Sequence, residues 1–182
     1  MYYNIPNKLT LIRVFLTLIL VLTFYMNCNI TNYAVVMIFV FASITDYLDG
    51  VLARAWNMHS KFGKVLDPIA DKLLIVSTLI MMLDRKIAPV LPTLLILSRE
   101  ILVSGIREYL AELRIKVSLP VKYLSKIKTA TQMMAIITLL IGDDVICIPH
   151  SNYIGKIFIW VAAALTLVTG YNYLKQGIKN FY

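Results

Sequence analysis

The sequence is poor in the residues that several protein classes require. Its 182 residues include two cysteines and two histidines; the cysteines are too few for a disulfide framework and lack the spacing of metal ligands. Cys28 and Cys147 stand in unrelated contexts, and a single disulfide between them is the one alternative left open. Acidic residues number ten against 18 lysines and arginines, a formal charge of +8. The chain nevertheless lacks a helix-turn-helix, a zinc finger and an aromatic-basic platform, so nucleic acid is excluded as a partner.

What the chain has in abundance is apolar sequence. Hydrophobic residues make up 59% of it, in long runs broken by short polar patches, a composition typical of an integral membrane protein. A hydrocarbon core of about 30 Å needs about 20 residues of helix, and six runs meet that length. We therefore predict an all-α integral membrane protein with one domain over residues 1–182 and six transmembrane helices, at 9–26, 33–55, 65–83, 88–110, 123–141 and 153–174.

The positive charges predict the orientation of these spans. When the chain is threaded through them, only Arg85, Lys86 and Lys156 lie near the three outer ends, and the positive-inside rule makes the other side cytoplasmic. Both termini are then expected in the cytoplasm. Residues 1–8 combine aromatics, a proline and a cation, which favours a short interfacial helix before the first span. Because no transit peptide is recognised there, we expect a bacterial plasma membrane.

Two of the predicted spans carry four aspartates, Asp46 and Asp49 in the second and Asp67 and Asp71 in the third. A carboxylate inside a membrane costs about 2.5 to 3.5 kcal/mol on insertion scales, so several in one place need compensation. Each pair has helical spacing and shares one face, and a short connection predicts that the two helices are antiparallel neighbours. Oxygen ligands without histidine or cysteine favour hard cations, so we predict a site for Mg2+ or Mn2+ that is able to hold two ions.

Small and basic residues accompany the aspartates. Gly50 and Ala53 lie on the same helical face and allow a ligand to approach the backbone closely. Arg54 offers a planar fork for phosphate. Taken singly, these residues are equally well explained as helix-packing positions and a positive-inside anchor. Beside a paired metal site, which clamps phosphate oxygens and stabilises a departing phosphate, they indicate phosphoryl-type transfer.

The complete frame D-x2-D-G-x2-A-R-x8-G-x3-D-x3-D resembles the signature of the CDP-alcohol phosphotransferase family, and the six predicted spans resemble its layout over nearly the whole chain. Members move a phosphate-bearing group from a CDP-linked donor to an alcohol and release CMP. The resemblance implies a homodimer in which Asp71 is the general base. It implies metal ligands at Asp46, Asp49 and Asp67, with Asp71 near the metals. It places the CDP part of the donor beside Gly50, Ala53, Arg54 and Gly63.

Polar residues at and just before the start of the first predicted span add to this picture. Asn7, Thr10 and Arg13 share a helical face, and the opening segment that contains them is similar to that of phosphatidylglycerophosphate synthases within the family. Polar groups on this face are suited to a nucleotide or its diphosphate. We therefore expect these three side chains to help hold the CDP part of the donor.

Basic residues in the fourth and fifth spans predict an anionic acceptor. The segments that carry them are again similar to phosphatidylglycerophosphate synthases, with Ser125 where that pattern usually has glycine. Such enzymes use CDP-diacylglycerol and sn-glycerol 3-phosphate. The structural alternative is a positive-inside flank for the lysines and an intramembrane ion pair of Arg99 with Glu100 or Glu108. The candidates for the acceptor phosphate are Arg99, Arg107, Lys126 and Lys128.

Two other functions are weighed against this one. Within the family, inositol phosphate, serine or phosphatidylglycerol as acceptor keeps the metal site and changes only the second substrate. Outside it, intramembrane carboxylates also mark ion pathways, so a divalent-cation transporter is the alternative from a different class. The aspartates lie toward the cytoplasmic ends of their spans, beside Arg54 and Lys64. Such cations repel metal ions and attract phosphates, which favours the enzyme.

Overall fold

The computed structural model describes residues 5–26, 31–56, 61–112, 122–145 and 150–179, with side chains at 10–26, 33–46, 69–106, 124–142 and 150–171. Within these ranges all regular structure is α-helical. Each helix overlaps one of the six predicted spans, so the all-helical prediction is confirmed. The helices are α1 (Ile5–Tyr25), α2 (Thr31–Trp56), α3 (Lys61–Asp84), α4 (Val90–Glu112), α5 (Lys122–Val145) and α6 (Ser151–Lys179).

Two stretches of the described residues are long and apolar enough to cross a membrane. They are Leu124–Gly142 in α5 and Ser151–Tyr171 in α6. Thr10–Tyr25 and Tyr33–Asp46 are shorter apolar stretches in α1 and α2. Length and composition therefore support a membrane protein, whereas the number of six spans and the cytoplasmic termini stay predictions.

The outer surface of the helices is apolar and part of the interior is polar. On α1, the large side chains of Leu11, Phe15 and Leu22 are exposed, whereas Thr10 and Arg13 are buried. The other described helices repeat the exposure of large apolar side chains. An extended apolar surface is unfavourable in water and suits contact with lipid. This distribution agrees with a location in the membrane.

The chain divides into two compact units, of which the first comprises residues 1–85 with 140–147. In it α1 packs against both α2 and α3. At one end of this packing, Arg85 Nη2 donates a hydrogen bond of 2.6 Å to the carbonyl oxygen of Phe24, and the guanidinium lies 4.7 Å from the Phe24 ring centroid. The buried residues of α1 recur every three or four positions, at Thr10, Arg13, Thr17, Leu20 and Phe24.

The second unit comprises residues 86–139 with 148–182, and in it α4 packs against α6. α5 and α6 approach closely at Gly155, where an added β carbon would lie 2.6 Å from Leu139 Cγ. Near this point Ser151 Oγ donates to the carbonyl oxygen of Thr138 at 2.9 Å. Small residues allow membrane helices to pack at short distance, so Gly155 sets the fit of these two helices.

Two details of the helices bear on the predictions. α1 runs without interruption from Ile5, so the prediction of a separate interfacial helix over residues 1–8 is wrong for residues 5–8. The reason is that Pro6 stands in the first turn, where a helix needs no amide hydrogen from it. In α5, Gly142 has φ 57°, a left-handed conformation that suits glycine, and it kinks the helix directly after the predicted span 123–141. The single-domain assignment stays a prediction.

Candidate active site

The helical frame predicted for the four aspartates is present in the backbone. Asp46 and Asp49 lie on α2, and Asp67 and Asp71 lie on α3. Residues three and four positions apart stand on the same side of a helix, so each pair occupies one helical face. α2 contacts α3, and α1 contacts both. The side chains of this frame that the structure describes are those of Asp46 and Asp71.

Asp46 forms an ion pair with the first helix. Arg13 Nη1 on α1 lies 2.7 Å from Asp46 Oδ1 on α2. The Arg13 side chain is 1% exposed and the Asp46 side chain is 38% exposed. A buried guanidinium is costly unless a carboxylate accepts its N–H groups, and Asp46 supplies such an acceptor. The pair therefore places the cation inside the unit and leaves part of the carboxylate open.

The buried face of α1 is polar on both sides of this arginine. Thr10 and Thr17 are buried about one turn before and after Arg13. Thr17 Oγ1 donates to the carbonyl oxygen of Arg13 at 2.9 Å, so this hydroxyl is satisfied within α1. The predicted common face of Thr10 and Arg13 is thus present, while their contact with the CDP part of a donor stays a prediction.

The donors of this region fit a hard divalent cation. Asp46 and Asp71 are neither fully buried nor fully exposed, and carboxylate oxygens are the ligands that Mg2+ and Mn2+ prefer. Among the described side chains, a set that does not include Asp49 and Asp67, no group of three histidine, cysteine, aspartate or glutamate residues gathers in one place. The chemistry of the donors thus supports the predicted site, and its number of ions stays a prediction.

A second polar cluster lies in the other unit and joins α4, α5 and α6. Lys128 Nζ donates to Glu100 Oε1, and Arg99 Nη1 lies 3.4 Å from the same oxygen. Arg99 Nη2 also donates to Thr169 Oγ1 at 3.3 Å. All three charged side chains are at most 18% exposed. The ion pair that was weighed between Arg99 and Glu100 is therefore confirmed, with Lys128 as a second cation on the same carboxylate.

A buried amide stands one turn from this cluster. Gln132 follows Lys128 by four positions on α5 and is 2% exposed. Its Nε2 has no hydrogen-bond partner among the described residues. Buried polar groups usually have a partner, so an N–H donor here suits an acceptor atom supplied by a ligand. Lys126, another predicted phosphate contact, is exposed on the same helix.

Many of the predicted site residues have side chains outside the described ranges. All of their backbones are helical. That of Asn7 lies on α1, that of Arg107 lies on α4, and the other six lie on α2 and α3. Cys28, Cys147 and the connection between α2 and α3 also lie outside the described residues. The site residues concerned are Asn7, Asp49, Gly50, Ala53, Arg54, Gly63, Asp67 and Arg107.

Sequence reasoning missed the pairing of Arg13 with Asp46. It assigned Arg13 to the substrate, although an arginine within an apolar run normally pairs with an acidic group of the protein. The charge within an apolar run therefore indicated an acidic partner in the membrane. Which residue is that partner depends on how α1 packs against α2. The sequence likewise did not show that Lys128 shares a carboxylate with Arg99, because Glu100 and Lys128 are 28 positions apart.

Comparison with known proteins is consistent across relatives. The family described as CDP-alcohol phosphatidyltransferase matches residues 3–168. A protein of Rickettsia bellii is 46% identical over 178 residues, which cover 98% of this chain and 97% of that protein. Proteins of Shigella flexneri serotype 5b and Escherichia coli K12 are each 38% identical over 179 residues, 97% of this chain and 96% of theirs. All three are named CDP-diacylglycerol–glycerol-3-phosphate 3-phosphatidyltransferase.

Proposed function

Since this chain belongs to the CDP-alcohol phosphatidyltransferase family, we propose that it transfers the phosphatidyl group of CDP-diacylglycerol to a hydroxyl of sn-glycerol 3-phosphate. The products are phosphatidylglycerol phosphate and CMP. The observation that carries this proposal is the 46% identity, over 98% of the chain, to a relative named for these two substrates. Because the relatives are named as transferases, an enzyme is favoured over the divalent-cation transporter.

The chemistry begins at the acceptor hydroxyl. Asp71, as general base, takes the proton of that hydroxyl. The acceptor oxygen attacks the lipid-linked phosphorus in line, and a new P–O bond forms. The bond from this phosphorus to the CMP oxygen breaks, and CMP leaves with the electron pair. The acceptor oxygen attacks phosphorus directly, so no covalent enzyme intermediate is required.

The remaining carboxylates of the frame are assigned to metal binding. Two Mg2+ or Mn2+ ions would be held by Asp46, Asp49 and Asp67. Asp71, which follows Asp67 on the same helical face, would lie near these ions. Bound divalent cations neutralise a diphosphate and stabilise negative charge on the departing phosphate. Asp46 suits this role because its side chain stays 38% exposed while Oδ1 pairs with Arg13. Gly50, Ala53, Arg54 and Gly63, with Asn7 and Thr10, are the proposed surroundings of the CDP part.

The acceptor phosphate is assigned to the cluster on α4 and α5. Glu100 Oε1 accepts from both Lys128 and Arg99, so two cations share one anion and the three groups keep a net positive charge. A phosphate dianion is suited to such a group because charge-assisted hydrogen bonds are strong where water is scarce. Arg107 and Lys126 are proposed to complete this site.

The finer points of architecture belong to the same proposal. We assign six transmembrane spans with both termini in the cytoplasm, one domain and a homodimer. The host membrane is proposed to be a bacterial plasma membrane with the active site on its cytoplasmic face. The distribution of lysine and arginine between the predicted sides supports the orientation, and the apolar outer surface of the described helices supports the membrane location.

The test is the release of CMP by the purified protein in detergent. CDP-diacylglycerol and Mg2+ or Mn2+ are combined separately with glycerol 3-phosphate, inositol phosphate, serine and phosphatidylglycerol. We expect turnover with glycerol 3-phosphate alone and its loss in Asp71→Asn. Asp84→Asn is the matched control, because Asp84 lies on the same helix and its described contact is with Tyr25. Turnover with another acceptor would replace the assigned substrate, and CMP release by Asp71→Asn at the normal rate would refute the assigned base.

A further inference from the structure

We propose that Arg13 is a positioning residue for Asp46, whose carboxylate it fixes in one orientation for a divalent cation. The inference rests on the proposed function, in which Asp46 is a metal ligand. It gives Arg13 a task distinct from the contact with the CDP part that its place in the sequence predicts. The observation behind it is the ion pair between α1 and α2.

The geometry of the pair is that of a fixed donor and an adjustable acceptor. Arg13 is 1% exposed and is one of the largest fully buried side chains of the described residues, so packing holds its guanidinium in place. Asp46 is 38% exposed, and its carboxylate has space to change orientation. A charge-assisted contact of 2.7 Å to Oδ1 restricts that freedom. The inference assigns Oδ2, the other oxygen of this carboxylate, to the cation.

The surroundings of Arg13 support a fixed position. α1 packs against both helices that carry the aspartates. A protein group that hydrogen-bonds a metal ligand orients that ligand. Loss of such a group typically lowers metal affinity or activity by about 10- to 100-fold. Arg13 stands in this relation to Asp46.

The sign of the effect separates positioning from simple electrostatics. A cation next to a metal site repels the metal ion, so removal of the Arg13 charge alone would tighten metal binding. Loss of a fixed carboxylate orientation would weaken binding instead. Weaker binding in an uncharged variant therefore reports the positioning role.

The experiment is a titration of the full-length, metal-free protein in detergent with Mn2+, without substrates, in which free Mn2+ is followed by electron paramagnetic resonance. Arg13→Gln removes the charge, and Arg13→Lys keeps the charge but removes the fork. Thr17→Val is the matched control, since Thr17 is buried on the same face of α1. We expect the Kd for Mn2+ to rise about 10- to 100-fold in Arg13→Gln, to rise less in Arg13→Lys, and to stay within about twofold in the control.

A second readout is the KM for CDP-diacylglycerol at saturating Mn2+. If Arg13 acts through Asp46, this KM stays near its normal value in each Arg13 variant that folds. Unchanged or tighter Mn2+ binding in both Arg13 variants overturns the inference, as does a raised KM with normal Mn2+ binding, which would make Arg13 a direct contact of the donor. Failure of the unaltered protein to bind Mn2+ would instead overturn the metal site of the proposed function, and the inference with it.

Discussion

Replacement of Glu100 by glutamine tests the cluster on α4, α5 and α6 most directly. Glu100 Oε1 accepts from Lys128 and from Arg99, so Glu100→Gln removes the carboxylate that the two cations share while nearly keeping its shape. Lys128 and Arg99 then repel each other without a shared carboxylate to neutralise them, and each side chain is at most 11% exposed. We expect a clear loss of stability.

The magnitude follows from burial. Removal of one partner of a buried ion pair costs about 3–5 kcal/mol, and Glu100, at 18% exposed, belongs near the lower end of that range. A loss of about 3 kcal/mol lowers the Tm of a chain of this size by about 6–12 °C. Glycerol 3-phosphate should return part of this loss, since its phosphate supplies negative charge to the same cations.

The assay is thermal unfolding in detergent with and without glycerol 3-phosphate. Asp84→Asn is the control, because Asp84 is exposed and its loss should cost less than about 1 kcal/mol. The expected result is a lower Tm in Glu100→Gln and a larger rise on addition of glycerol 3-phosphate than in the unaltered protein. An unchanged Tm would refute the argument from the shared carboxylate. A low Tm that glycerol 3-phosphate raises no more than normal would refute the assignment of this cluster to the acceptor.

Three further predictions address other parts of the molecule. Gly155→Ala places a β carbon 2.6 Å from Leu139 Cγ, so we expect a loss of about 1–3 kcal/mol that Leu139→Ala partly reverses in a double variant, measured by thermal unfolding. Gln132→Leu removes a buried donor that lacks a partner among the described residues, so we expect an equal or higher Tm together with a higher KM for glycerol 3-phosphate; a normal KM would contradict a role in acceptor binding. Removal of divalent metal by EDTA should abolish CMP release, and excess Mg2+ or Mn2+ should restore it; release that persists after chelation and dialysis would exclude the assigned metal requirement.

The helices themselves were predictable because their cause is local. Long apolar runs of about 20 residues favour helices that satisfy their own backbone hydrogen bonds in lipid, and each of the six runs overlaps a helix. The aspartate frame was predictable for the same local reason, since helical spacing places Asp49 on the face of Asp46 and Asp71 on the face of Asp67. The start of α1 was not predicted, because the composition of residues 1–8 suits an interfacial segment and an unbroken first turn equally well.

The contacts between helices were not predictable, because they depend on tertiary register. Arg13 and Asp46 are 33 positions apart in sequence, and their pairing depends on how α1 rotates against α2. The close fit of Gly155 against Leu139 depends in the same way on how α5 packs against α6. A span that contains a charge does indicate that a partner exists, because an isolated charge in the membrane is expensive. It does not identify which of several acidic residues is that partner.

Both polar clusters follow from this cost. In each, a buried cation assigned to the reaction is paired with a carboxylate of the protein, Arg13 with Asp46 and Lys128 with Glu100. The two pairs differ in which partner is accessible: in the first the carboxylate is the more exposed group, and in the second both partners are largely enclosed. An exposed carboxylate held by a buried cation suits a site that receives a metal ion. Two enclosed cations on one carboxylate suit a site that receives a phosphate, because the arriving anion adds charge that the single carboxylate does not supply. We therefore propose that the accessible carboxylate of the first cluster receives a cation, and that the two enclosed cations of the second cluster receive an anion.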